Sequence, residues 1–141
     1  MRDAVAIVEG LLEAIVVIDR DGTIELVNKA TETLFGYDRS ELVGQSLGML
    51  LPERTRERHK KYMEIFFAEP RVRATAPGNV LLGRKKNGDE LRLQIAIGPI
   101  NGGALAMIHQ PTRQEELATE LVQRVERVVD NIVAQIALRA K

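Results

Sequence analysis

Apolar positions recur at helical spacing at both ends of this chain and alternate or cluster in short runs between them. Over residues 3–14, Val5, Val8, Leu11 and Leu12 share one helical face, with Asp3 as a candidate cap. The run Ala14-Ile15-Val16-Val17-Ile18-Asp19 reads as a strand, and Thr23 to Val27 as its return across Asp21-Gly22, a strong hairpin signal. Residues 28–34 read as a short helix stopped at Gly36, and residues 40–44 as another, Ser-capped and Gly-terminated. After Pro52, residues 53–67 place His59, Tyr62, Met63 and Phe66 on one helical face, and Pro70 ends that helix.

Three more strands follow. Residues 80–84 pair with residues 90–97 across Lys86-Asn87-Gly88-Asp89, and Leu91, Leu93, Ile95 and Ile97 alternate with Arg92, Gln94 and Ala96, so one face is buried. Asn101-Gly102-Gly103 turns the chain into residues 104–109. The order predicts an α+β fold, an antiparallel sheet with helices gathered on one face. Beyond Pro111-Thr112, residues 111–141 form one amphipathic helix. Ala118, Val125 and Ile132 fall on heptad position a, Leu121 and Val128 on d, and Val122, Val129 and Ile136 widen the seam. Gln135 and Arg139 interrupt the last heptad. The expected division is a helix at 1–13, a body at 14–110 and a coiled-coil-like helix at 111–141.

With 141 residues, 45% of them apolar, one ordinary core is possible. Twenty basic and twenty acidic residues cancel, which argues against a polyanion as main partner. No cysteine is present, so disulfides, thiolate chemistry and iron–sulfur clusters are excluded. No stretch approaches the ~20 apolar residues of a membrane span, and Met1-Arg2-Asp3-Ala4 does not open a signal peptide, so the expected compartment is the cytoplasm. Ser40 and Ser46 sit in caps or loops with no histidine partner, and residues 83–88 form a hairpin rather than a phosphate loop. No catalytic residues are expected. No kinase, cyclase or DNA-binding segment follows Lys141, and the chain reads either as a fragment of a larger sensor or as a complete short protein.

The layout resembles a PAS domain over nearly the whole of 11–112. The match is carried by the strand at 14–19, Asp21-Gly22, Val27-Asn28-Lys29-Ala30, Leu34-Phe35-Gly36-Tyr37, Glu41-Leu42-Val43-Gly44, Leu50-Leu51-Pro52-Glu53 and Lys85-Lys86-Asn87-Gly88. The resemblance implies a five-stranded antiparallel sheet with a small-molecule pocket between sheet and helices, in a sensory and dimerisation module rather than an enzyme.

Residues 50–63 further resemble the corresponding helix of the heme PAS sensors of the FixL and Dos types. There a histidine is the proximal iron ligand and a tyrosine follows three residues on; His59 and Tyr62 match. Ile95-Ala96-Ile97-Gly98 resembles the strand lining the distal heme face. The implied cofactor is heme b, held by His59, with Tyr62, Met63, Phe66, Asn79, Ile95, Ile97 and Met107 as candidate surroundings. Arg56, Arg58, Lys60, Arg71 and Arg73 are candidate partners for its propionates. A neutral imidazole is a standard heme ligand.

Two departures stand out. The distal arginine of FixL falls near Asn79 and the ligating methionine of Dos near Pro77, so neither group is present. At the domain exit the usual Asp-Ile-Thr becomes Gln110-Pro111-Thr112, which removes a charged contact to the body. Nothing in the spacing makes His109 a second ligand. The expected function is a homodimeric sensor of a diatomic gas or redox state. The alternatives are a cofactor-free dimerisation module and a PAS domain holding another metabolite.

Overall fold

The computed structural model describes residues 2–74 and 81–139. Its elements are α1 (Arg2–Gly10), β1 (Ala14–Ile18), β2 (Ile24–Val27), α2 (Lys29–Phe35), α3 (Arg39–Leu42), α4 (Arg56–Ala68), β3 (Arg73–Ala74), β4 (Leu81–Arg84), β5 (Glu90–Ile100), β6 (Gly103–His109) and α5 (Arg113–Arg139). Two 3-10 turns, Leu47–Leu50 and Glu53–Thr55, lead into α4.

The sheet is antiparallel throughout, in the order β2-β1-β6-β5-β3, with β4 also paired to β5. The strand expected at residues 80–84 is β4, opposite residues 90–93, and the two-residue β3, opposite Ala96 and Ile97, is an addition to the five expected strands. Registers Ala14↔Ile108, Val16↔Ala106 and Ile18↔Ala104, continued as Ile95↔Ile108 and Ile97↔Ala106, put one residue set on one face. That face joins Phe35, Leu42, Leu50 and Phe66 in the core. Burying it is the main driving force for the fold.

Local chemistry sets the helix ends. Asn28 caps α2, and its amide is completely buried. Its Oδ1 accepts from the backbone N–H of Ile15 (2.9 Å) and Thr31 (3.1 Å), while Nδ2 donates to the carbonyls of Val8 (3.0 Å) and Glu13 (2.9 Å). The expected Ser40 cap is instead Asp38. Its carboxylate accepts from Ser40 N–H (3.0 Å), and Glu41 returns to the Asp38 N–H (2.9 Å) in a capping box. α1 stops at Gly10, short of the expected residue 14, where β1 already begins. Arg39 clamps it from α3, with Nη1 and Nη2 on Glu9 (3.0 and 2.7 Å) and Nη2 on Glu32 (2.8 Å).

α5 meets the sheet only through its first turns. His109 Nε2 lies 3.2 Å from Glu115 Oε2, Arg92 Nε lies 4.0 Å from Glu116 Oε1, and Thr119 is buried. Thr112 Oγ1 accepts from Glu115 N–H (3.1 Å). The Glu115 carboxyl is held below its usual range, first by the His109 ring. A charged contact between helix and body is therefore present, although Gln110 does not supply it. From residue 120 to 139 every side chain is exposed, including Leu121, Val125, Val128 and Ile132. Among the described residues no helix is long and apolar enough to cross a membrane.

The β5–β6 connection runs through Asn101 (φ 47°) and Gly102 (φ 78°), both left-handed as a type I′ hairpin requires. The next residue, Gly103, is packed so closely on β1 that a Cβ there would lie 2.0 Å from the Ile18 carbonyl oxygen. Gly103→Ala is expected to force β6 off β1, to cost about 3 kcal/mol and to lower the thermal midpoint by roughly 10 °C. Circular dichroism melting of the two proteins checks this, and an unchanged midpoint would contradict the close approach.

Candidate functional site

The sequence of α4 places a mixed face toward a cleft. Arg56, His59, Lys60, Met63 and Phe67 recur at spacings of three and four, so all five point the same way. Opposite them stand the β1–β2 turn, with Arg20, Asp21 and Gly22, and the 3-10 turn, with Leu47, Gly48 and Met49. Ser46, Leu51, Glu53, Glu57 and Glu64 complete the lining of a space of about 940 Å³. That is at the upper end of the ~300–1,000 Å³ usual for small-molecule sites.

Both walls are built by short-range chemistry. The turn is set by Asp19, whose Oδ1 accepts from the N–H groups of Asp21 and Thr23, each at 2.9 Å. The 3-10 turn is capped by the Ser46 hydroxyl on Gly48 N–H (3.2 Å) and tied to α4 by Arg56, whose Nε donates to the Gly48 carbonyl (2.8 Å). Phe66 turns the other way and is fully buried in the core, which anchors the helix.

His59 is partly buried, and desolvation pushes its imidazole below the usual histidine range, favouring the neutral form. The neutral ring is the form that can donate a lone pair to a metal. The Tyr62 ring centre lies 6.5 Å from that of His59, but Tyr62 is 42% exposed and does not line the cleft.

Of the residues singled out from the sequence, the cleft gathers His59 and Met63. Ile97 is buried and Ile95 packs against it, both on the core face of β5 and outside the cleft lining. Met107 stands opposite Ile15 and Ala96, on the other face of the sheet from the core set, because its neighbours Ala106 and Ile108 point inward. Asn79 and Pro77 lie outside the described residues. His109 binds Glu115 at the domain exit.

Among the candidate cations, Arg56 and Lys60 line the cleft, whereas Arg58 and Arg71 are exposed. Arg73 donates through Nη2 to the Glu69 carbonyl (3.2 Å), and its Nε is buried with no partner among the described residues. The reading of the sequence missed Arg20 and Phe67. Arg20 sits in a turn, and its guanidinium carbon lies 5.7 Å from the centre of the Phe67 ring. Phe67 was legible in principle, standing four residues after Met63 and eight after His59.

Among the described residues no group of three or more histidines and carboxylates is arranged to hold a bare metal ion. Heme iron is held by its macrocycle and takes its protein ligand from a single side chain, so it asks for a different donor set. One partly buried neutral imidazole, with apolar walls at Leu47, Met49, Met63 and Phe67 and cations at Arg20, Arg56 and Lys60, fits that set in kind.

The PAS fold family model matches residues 2–100. The Sensor protein FixL of Bradyrhizobium diazoefficiens is 30% identical over 128 residues, covering 83% of this chain and 25% of that protein. The Oxygen sensor protein DosP of Escherichia coli is 27% identical over 86 residues, covering 61% of this chain and 11% of that protein. The Cell-division control histidine kinase PdhS of Brucella ovis is 27% identical over 126 residues, 86% of this chain and 12% of that one. The chain therefore spans a quarter or less of the length of these relatives. A PAS domain structure from Colwellia psychrerythraea superposes with a TM-score of 0.68 at 23% identity, over 77% of this chain and 94% of that one. An RNA-binding Light-Oxygen-Voltage receptor superposes with a TM-score of 0.72 at 16% identity, over 95% of this chain and 38% of that one. Likeness at such identity speaks for the fold alone. With the sheet order, the helices packed on its core face and the family model in agreement, this chain belongs to the PAS family, whose members are sensory modules of signal transduction.

Proposed function

We propose that this PAS domain senses a diatomic gas or a redox state through heme b held by His59, and relays the state through a homodimer formed by α5. The observation that carries the reading is His59 itself. It is a partly buried imidazole whose protonation is disfavoured by desolvation, on the face of α4 that lines a cleft of small-molecule size. The sequence likeness to a protein named an oxygen sensor points the same way.

In this reading His59 would hold the iron and Met63 and Phe67 would pack against the macrocycle, whereas Ile95 and Ile97, on the core face of β5 and outside the cleft lining, have no assigned part. Tyr62 lies beside the ligand helix without entering the cleft, and Met107 and Asn79 have no assigned part. When bound, the group supplies a redox-active iron able to take a gas. The protein would hold the ring and limit water around His59, whose protonation burial disfavours. Absorbance spectra of protein expressed with heme precursor test this. The wild type is expected to show a Soret band that His59→Ala loses or shifts. No band after addition of hemin would retire heme and leave the cofactor-free or metabolite-binding readings.

Relay through α5 follows from its surface. Leu121, Val125, Val128 and Ile132 are at least half exposed, with Val129 and Ile136 beside them, and they form a seam over about three heptads. A second copy of the same helix buries that seam with the period it has. Leu121→Glu or Val128→Glu is expected to convert a dimer into a monomer by light scattering. A wild type of monomer mass, or variants of unchanged mass, would contradict the coiled coil.

A further inference from the structure

We propose that α5 carries two overlapping seams for a second copy of itself, and that the contacts at its base hold the pair in the first seam and open the second when they release. The proposal rests on reading α5 as a dimer helix and adds how that pairing is regulated. A two-stranded coiled coil buries about two of every seven positions. The apolar stripe of α5 is wider. Ala118, Val125 and Ile132 form a central column, with Leu121 and Val128 on one flank and Val122, Val129 and Ile136 on the other. Either flank makes a heptad seam with the centre, because steps of three then four and of four then three have the same period. The two seams differ by a turn of about 50° about the helix axis, half the ~100° between neighbouring residues.

The devices that usually fix one register are missing between residues 118 and 134. In coiled coils, charges beside the seam and buried polar residues choose the register. In a parallel pair the flank contacts of the first seam are Leu117 with Val122, Arg124 with Val129 and Asn131 with Ile136. Those of the second are Leu121 with Glu126 and Val128 with Val133. Neither seam sets like charges together, and neither gains an ion pair. They differ in extent, since the first stops at Gln135 and the second continues through Ile136.

The base decides between them. Glu115 stands seven residues before Val122, so the flank of the second seam runs down onto the side of α5 that faces the domain. There His109 Nε2 lies 3.2 Å from Glu115, Arg92 Nε lies 4.0 Å from Glu116, and Thr119 is buried. Val122 shares that side and is 37% exposed, against 60% for Leu121. The flank of the first seam runs down instead to Gln114, which is exposed. A second helix therefore reaches the first seam while the base is docked. It reaches the whole of the second only after Glu115 and Glu116 let go and α5 turns. Once free, the second seam buries three flank residues against two, and burial favours it.

The chain has no cysteine, so single cysteines report which seam is closed. Val128→Cys and Val129→Cys are made in the full chain, with Asp130→Cys on the polar face as background. Light scattering gives the mass, and non-reducing gels follow the oxidised dimer. A disulfide needs Cα atoms within about 7 Å, which favours seam positions over their neighbours. Val128→Cys is expected to link faster while the base is docked. Glu115→Ala with Glu116→Ala is expected to move the ratio of the two links toward Val129→Cys by at least about threefold, a size that exposed ion pairs support. Arg92→Ala with His109→Ala releases the base from the domain side, and the same shift there guards against a loss of helix at the acids. Either release is also expected to restore a dimer to Val128→Glu but not to Leu121→Glu, whose new charge meets Glu126 of the second copy in the second seam. A ratio that neither release moves, or Val128→Glu that stays monomeric after both, overturns the second seam and leaves the dimer standing. A wild type with the mass of four copies overturns it too, because a four-helix bundle buries both flanks at once. A monomeric wild type overturns it together with the dimer reading.

Discussion

The buried amide of Asn28 is the constraint on which the arrangement of this domain depends. It is a side chain with no exposure, and all four of its hydrogen-bonding directions are engaged with backbone from three places in the chain. An unsatisfied buried amide would cost ~1–3 kcal/mol for each lost partner, so its neighbours are held in register with it. One acceptor atom starts α2 and positions β1; one donor pair holds the end of α1 and the approach to β1. Thr31 adds its hydroxyl to the Ile15 carbonyl (2.7 Å), closing the group. With β1 placed, β2 and β6 pair to its two sides and the remaining strands follow from β6.

Much of this was legible in the sequence because it is local. Asp21-Gly22, Asn87-Gly88 and Asn101-Gly102 each mark a hairpin, and the structure puts Gly22, Gly88 and Gly102 at positive φ. β5 alternates cleanly, so its core face could be assigned. β6 could not be treated that way. Residues 104–108 are apolar at every position, and a period of two is invisible in a run without polar residues. The inward set is the small one, Ala104 and Ala106 with Ile108, which leaves Met107 on the far side. The capping of α3 was misplaced by two residues because Asp38 and Ser40 are both good caps; Glu41, three residues after Asp38, decides between them.

The site was only half legible, for a different reason. Helical spacing placed His59 and Met63 on one face, but it did not show which turn of the chain would face them. Arg20 belongs to a hairpin thirty-nine residues before His59, and its place over Phe67 follows from how the β1–β2 turn folds toward α4. Composition gives no hint of this, since the domain has as many acids as bases. That Arg20 and Arg56 face the same cleft is a property of tertiary structure.

The cleft and α5 lie on opposite sides of the sheet, and this limits how they can communicate. α4 packs toward the core face through Phe66, while Arg92 and His109, the residues that hold α5, alternate with core residues and point away from it. Under the proposed relay, a change at His59 would have to reach α5 through the backbone of β5 and β6 and not by direct contact. β5 is well placed to carry it, because Ile95 and Ile97 on its inner face are three and five residues from Arg92 on its outer face, and its partner β6 ends at His109. The contacts to α5 are few, since beyond Thr119 the helix is exposed. Exposed ion pairs contribute little stability each, so the orientation of α5 is held weakly at its base. In the proposed relay, a small shift of two strand ends would re-aim a helix of 27 residues, about 40 Å long at ~1.5 Å per residue.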